Sequence, residues 1–211
     1  TLFLNRGSNF LATPLPLDAQ LAPAFHVGIA DADGDGHEDI LLSQNFFAVR
    51  PEWHRMDAGR ALLLAGDGRG GFQSVPGRTS GIKVYGEQRG AAWADFDGDR
   101  RLDVVITQNG TQTRVFRNRQ ARPGCRVSVA GPKGNPDALG ASLLLRTPAG
   151  SARVKPVGGA AGYWSQDGAS VLFGQPAEGS TLEVVWPGGR REAHPLPARA
   201  EEVQVTESGL L

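Results

Sequence analysis

The chain has 211 residues, long enough to bury a sizeable core in one large domain or two small ones. Its 22 Lys+Arg balance 22 Asp+Glu, which leaves no basic surplus to hold nucleic acid and no acidic surplus of the kind that makes a disordered tail. A lone cysteine, Cys125, excludes an intrachain disulfide, a four-cysteine zinc site and a redox pair, and no apolar run approaches the roughly 20 residues of a membrane-spanning helix.

With 29 Gly and 14 Pro, the expected class is all-β, built from short strands and tight turns. The first apolar run is Leu2-Phe3-Leu4, closed by Asn5-Arg6-Gly7. Residues 27–30, small and apolar, predict a strand entering an acidic loop at 31–39, and Ile40-Leu41-Leu42 predicts a strand buried on both faces leaving it. Trp53 lies in a long insertion that reads either as an exposed recognition loop or as a cover for the sheet edge. Residues 62–68 resemble the opening run. Gly66-Asp67-Gly68-Arg69-Gly70-Gly71 matches a phosphate-binding glycine pattern in form only, because Phe72-Gln73-Ser74-Val75-Pro76-Gly77 cannot start a helix of useful length, so a hairpin turn is expected.

The strand–loop–strand unit then recurs 64 residues on. Residues 30–45, A-D-A-D-G-D-G-H-E-D-I-L-L-S-Q-N, align with 94–109, A-D-F-D-G-D-R-R-L-D-V-V-I-T-Q-N, with eight of sixteen positions identical. Val115-Phe116-Arg117-Asn118 reads as a third copy of the opening run. Repeats of several strands at this period point to propeller blades or a similar array. Around 120–124 the repeat stops. The runs at 126–129, 142–146, 152–157, 170–173, 181–186 and 201–206 predict further strands separated by Gly, Pro and Asn turns. The expected layout is therefore a repeat region over 1–122, about two blades, and a small β-sandwich or barrel over 123–211.

Chemistry concentrates in the two loops. Asp31, Asp33, Asp35 and Asp39 stand at positions one, three, five and nine, with glycines at 34 and 36. Alternate carboxylates in a tightly wound loop converge on one centre, and calcium requires six to eight oxygens at about 2.3–2.6 Å. The main-chain carbonyl of His37 is the expected ligand at position seven. The glutamate that closes a helix-flanked calcium loop at position twelve has no counterpart, since Leu42 stands there, so Asp39 takes that role. The second loop offers Asp95, Asp97, Asp99 and Asp103, with the carbonyl of Arg101. There Arg100 replaces the glycine at 36, at a cost of about 1 kcal/mol if φ must be positive, and two adjacent arginines bring positive charge. The second calcium site is therefore expected to be the weaker.

Other candidates are less specific. The four histidines show no paired metal-ligand spacing and no G-x-S-x-G supports a serine triad, so the chain is read as no enzyme. Gln44, Asn45, Gln108 and Asn109 end equivalent strands. Their amides bind either a ligand or neighbouring backbone.

The loops resemble the FG-GAP or VCBS repeat, whose D-x-D-x-D-G-x-x-D calcium loop builds integrin-like β-propellers. Gly131-Pro132-Lys133-Gly134-Asn135-Pro136-Asp137-Ala138-Leu139-Gly140-Ala141, with Gly162-Tyr163-Trp164-Ser165-Gln166, Val171-Leu172-Phe173-Gly174 and Val184-Val185-Trp186-Pro187-Gly188-Gly189, resembles the ASPIC/UnbV domain. That domain commonly follows such repeats in bacterial secreted proteins and in the cartilage acidic protein family. The resemblance implies a calcium-stabilised propeller end and a β-domain, secreted, at the cell surface or periplasmic. The expected role is a non-enzymatic scaffold or adhesion module contacting a protein or glycan, or the remaining blades from the same or another chain. Two alternatives stand beside it: an accessory part of a larger enzyme or electron-transfer assembly, and a subunit of a surface filament or layer.

Overall fold

A computed structural model describes residues 1–150, 152–158, 161–206 and 208–210. The protein is all-β: seventeen strands with only single helical turns at Leu17–Gln20 and Gly77–Ser80 among the described residues. Among the described residues none of its sheets closes on itself.

Strands β1 (Leu2–Asn5) and β2 (Phe10–Thr13) form a hairpin. The next sheet runs β3–β4–β5–β6, all antiparallel, from β3 (Ala24–Ala30), β4 (Asp39–Gln44), β5 (Leu62–Gly66) and β6 (Phe72–Val75). Every residue of β4 is buried, as its unbroken apolar run predicts, because its two faces meet different cores. Leu41 joins the cluster of Ala91, Trp93, Val104 and Ile106, whereas Ile40 and Leu42 pack with Leu64, Leu15 and Phe72. Strands β7 (Glu87–Ala94), β8 (Asp103–Asn109) and β9 (Arg114–Phe116) form a three-stranded sheet.

The 64-residue repeat is a structural repeat too. Ile29 pairs with Ile40 and Ile40 with Leu64; likewise Trp93 pairs with Val104 and Val104 with Phe116. Each repeat also has one irregularity in its first pair, between Ala24 and His26 and between Gln88 and Ala91.

The remaining strands make two four-stranded sheets. One is ordered β13–β10–β16–β17, from β10 (Cys125–Ala130), β13 (Val171–Phe173), β16 (Glu202–Thr206) and β17 (Gly209–Leu210). The other is ordered β12–β11–β14–β15, from β11 (Ser142–Arg146), β12 (Ala152–Pro156), β14 (Thr181–Val185) and β15 (Arg191–Pro195). One core lies between them: Val127, Val129, Val203 and Val205 from the first meet Leu143, Leu145, Leu182 and Val184 from the second. Alternation along β10, β14 and β16 directs every second residue inward. Cys125 belongs to this core, and burial pushes its thiol up to about 11, so it packs as a small apolar residue.

The sandwich lies against the repeat sheets. Trp93 N–H donates to Asp167 Oδ1 at 2.8 Å, and Gly168 N–H donates to the Trp93 carbonyl at 2.8 Å. Arg122 N–H reaches the Asp33 carbonyl at 3.0 Å, and Gly124 N–H reaches that of Arg100 at 2.8 Å. These bonds hold both acidic loops beside the start of β10.

Candidate metal centre

Both loops join the first and second strands of a repeat, and both are wound by aspartates bonding forward to the backbone. In the first, Asp33 Oδ1 accepts the Asp35 N–H at 3.0 Å and Asp35 Oδ1 accepts the His37 N–H at 2.6 Å. In the second, Asp97 Oδ1 accepts Asp99 N–H at 3.3 Å and Asp99 Oδ1 accepts Arg101 N–H at 3.0 Å. Such turns explain aspartate at alternate positions independently of any ion. Left-handed geometry falls where the sequence comparison places it, with φ +92° at Gly36 and +65° at Arg100.

The ninth-position aspartates are buried struts. Asp39, 3 % exposed, accepts Ala32 N–H and Gly66 N–H, each at 2.9 Å. Asp103, 2 % exposed, accepts Phe96 N–H at 3.3 Å and Asn118 N–H at 2.7 Å. Each therefore clamps its own loop to the far end of the third strand. Burial lifts the Asp39 carboxyl to about 6 against the pull of those two amides, and Asp33 and Asp31 add to the rise. Burial also raises Asp103 and Asp31, the latter partly offset by the Gly36 amide and Lys155.

Convergence differs between the loops. In the first, Asp31, Asp33 and Asp39 offer oxygens all within 4.8 Å of one another, and in the second Asp95, Asp97 and Asp99 do so. Asp35 and Asp103 fall outside these triplets. The side chains of His37 and Arg101 point to other tasks. His37 packs its ring where a Gly68 side chain would sit, and Arg101 Nε donates to the Ala121 carbonyl at 2.7 Å. In each loop one oxygen of the first aspartate, Asp31 Oδ1 or Asp95 Oδ1, is buried with no hydrogen-bond partner among the described residues.

The counter-charges differ more. Arg126 pairs with Asp95, whose side chain is 0 % exposed; Arg117 pairs with Asp97 and reaches Asp99 at 3.5 Å; Arg101 pairs with Asp99 at 3.1 Å. No aspartate of the first loop has an ion pair among the described residues. The nearest cations are engaged alongside: Lys155 pairs with Glu38 at 3.2 Å, and the Arg153 guanidinium fills the place of a Gly36 side chain. Hard carboxylate oxygens without an ion pair among the described residues, one of them buried and orphaned, fit a calcium ion in the first loop better than in the second. In the second, three guanidiniums already supply the positive charge.

Arg117, Arg126 and Asn118 were not among the residues singled out for the site. Asn118 Nδ2 donates to the Ala32 carbonyl at 2.7 Å and to that of Leu102 at 3.1 Å, linking the two loops. The repeated V-F-R-N run carried Arg117 and Asn118 in view; Arg126 had no local signal. The strand-end amides bond internally: Asn45 Nδ2 donates to the Gly59 and Gly86 carbonyls at 2.9 and 3.0 Å, and Gln44 Nε2 donates to the Asp18 carbonyl at 3.4 Å. Asn109 Nδ2 donates to Glu87 at 2.7 Å and Gln108 to the Gln112 carbonyl. Trp53 is exposed.

Cartilage acidic protein 1 of Xenopus tropicalis is 31% identical over 110 residues, covering 50% of this chain and 17% of that protein. The Mus musculus protein of the same name is 31% identical over 115 residues, covering 52% of this chain and 18% of its own length. The chain thus spans under a fifth of the curated relatives it matches. Residues 131–210, the greater part of the sandwich, match the family described as ASPIC and UnbV.

Proposed function

We propose that this chain is a non-enzymatic, extracytoplasmic calcium-binding module, an end portion of an FG-GAP-like propeller carrying an ASPIC/UnbV domain, that presents a rigid surface to a protein or glycan. The similarity to cartilage acidic protein 1 supports an exterior location, and the register-matched sheets support a blade array. The observation that carries the calcium reading is the first loop. Asp31, Asp33 and Asp39 gather with no ion pair among the described residues, and Asp31 Oδ1 lies buried with no hydrogen-bond partner among them. Carboxylates so close, with Asp39 buried and Asp31 half-buried, are relieved by taking up protons, separating or gaining a cation.

Asp31, Asp33 and Asp39 would hold the ion, with the His37 carbonyl a further oxygen. Asp95, Asp97 and Asp99 form the weaker site, since an ion there must displace guanidiniums. The role is structural: the ion fixes the loop against Arg122 and β10. At ten times its dissociation constant such an ion stabilises the fold by about 1.4 kcal/mol. The decisive experiment is calcium titration by calorimetry on wild type, Asp31→Asn and Asp97→Asn. The reading requires that Asp31→Asn remove the tighter event and Asp97→Asn leave it; no heat in wild type at millimolar calcium would refute it.

A further inference from the structure

A cavity of about 450 Å³ lies where the sandwich meets the first repeat sheet, between β3 and β12. Its walls are apolar, with Val27 and Ile29 on one side and Val154, Pro156 and Leu172 on the other. Val27, Ile29 and Val154 are 52, 60 and 63% exposed, so the mouth reaches solvent. Buried Trp93 lines the cavity together with Gly28 and Gly162.

Beside these two glycines stands His26, 0% exposed. Neither of its ring nitrogens has a hydrogen-bond partner among the described residues, and neither has Trp93 Nε1. A Cβ on Gly28 would lie 2.8 Å from both His26 Nε2 and Trp93 Nε1, and one on Gly162 would lie 2.8 Å from His26 Nδ1. Glycine at both positions therefore leaves the polar edges of the imidazole and the indole bare toward the cavity. Around Gly28 the two nitrogens are close enough for one oxygen atom to bridge them. A buried donor or acceptor left unmatched is costly, and a ligand atom that bonds it recovers that cost.

The charges around the cavity select against an ion. Lys155 is already paired with Glu38 at 3.2 Å, and burial holds the His26 imidazole below its ordinary value, so it stays neutral. Asp167 Oδ1 accepts the Trp93 main-chain N–H at 2.8 Å, and burial raises its carboxyl. An anionic group would face Glu38 and Asp167 with no unpaired cation among the described lining residues. A cationic group would meet the indole N–H, which only donates. A hydroxyl satisfies both nitrogens: its oxygen accepts from Trp93 Nε1, and it accepts from or donates to His26 Nε2 in either imidazole tautomer. We propose that this cavity binds a neutral small molecule with an apolar body and a hydroxyl group. The hydroxyl bridges Trp93 Nε1 and His26 Nε2, and the body lies between β3 and β12. The volume is that of an ordinary small-ligand pocket. The site shares no aspartate with the acidic loops and goes beyond the calcium reading.

The test titrates the full chain, in chelator, with β-naphthol, naphthalene and β-naphthoate, which share an apolar body and differ in the polar group. NMR follows the Trp93 indole N–H and the His26 ring. We expect a saturable shift of the Trp93 signal and binding of the naphthol about tenfold or more tighter than of either analogue, because both analogues leave the two nitrogens unmatched. Gly28→Ala sets a methyl 2.8 Å from both nitrogens and should abolish the response. Should that variant fail to fold, Val154→Trp decides: the position is 63% exposed, and the larger ring across the mouth should weaken naphthol binding about tenfold or more. Tyr85→Ala, at an exposed aromatic residue outside the cavity, should change nothing. No saturable shift of Trp93 at millimolar naphthol would overturn the proposal and leave the two nitrogens to water alone. Equal affinity for naphthalene or naphthoate would overturn it too, as would unchanged naphthol affinity in Val154→Trp.

Discussion

The two acidic loops share their carboxylate spacing, their forward-bonding turns and their buried ninth aspartate, yet they balance charge differently. In the loop after β3 the aspartates face no ion-pair partner among the described residues; in the loop after β7 each of Asp95, Asp97 and Asp99 meets a guanidinium. The difference arises because Arg101 and Arg117 replace His37 and Ala65, and because β10 delivers Arg126 to the second loop. A repeated motif can thus preserve loop geometry while one copy gains covalently attached cations that the other lacks. Attached cations require no calcium, but they lose its six to eight oxygen contacts.

The strongest challenge to this contrast is Arg126→Ala. It strands the fully buried Asp95 carboxylate, and urea unfolding in chelator should show a loss of about 3 kcal/mol, much of it regained in millimolar calcium because the vacated loop now resembles the first. If calcium restores nothing, the loops are not interchangeable.

Next in size is a pH effect with two opposing limbs in chelator. Burial disfavours the Glu87 anion, but the Phe47 amide, Asn109 and Arg89 outweigh it and bring the group to about 2. Its contribution is present above pH 4.5 and lost as pH falls toward 2, worth about 3 kcal/mol and absent in Glu87→Gln. Asp39 acts with the opposite sign. With its folded value raised to about 6, it favours folding below about pH 4, and that benefit is lost as pH rises through 6, again up to about 3 kcal/mol. Calcium, which selects the ionised carboxylate, should flatten the second limb only.

Smaller again is the calcium effect on wild type, a melting shift of about 2–6 °C in millimolar calcium. Asp33→Asn should abolish most of it and Asp97→Asn little. Smallest is Arg100→Gly, which relieves the left-handed backbone at +65° and forfeits a pair with the exposed Glu201. Chemical denaturation should show a net change below about 1 kcal/mol.

Legibility in the sequence followed burial. Strands β3, β4, β7 and β8 were readable because apolar runs meet aspartate loops, and β4 and β7 are the most deeply enclosed of the four. Strands β2 and β15 were not foreseen as strands. Phe10-Leu11-Ala12-Thr13 is almost wholly exposed, and Arg191-Glu192-Ala193-His194-Pro195 alternates exposed with half-buried, so neither bears the apolar signature of a core. Their backbone pairing, not their side chains, places them. The loops were found from aspartate spacing, but spacing did not separate Asp31, Asp33 and Asp39 as one converging set from Asp95, Asp97 and Asp99 as another.

The sequence by itself determined the all-β class, the repeat, and the winding of both loops, because turn-forming Asp and Gly act on backbone within a few residues. Tertiary structure alone decided which carboxylates meet a cation and which buried nitrogens border the cavity beside the sandwich. Those outcomes depend on where β10 carries Arg126, on how Gly28 and Gly162 flank His26, and on the sandwich packing against Trp93. These are contacts between residues tens of positions apart, and no local pattern encodes them.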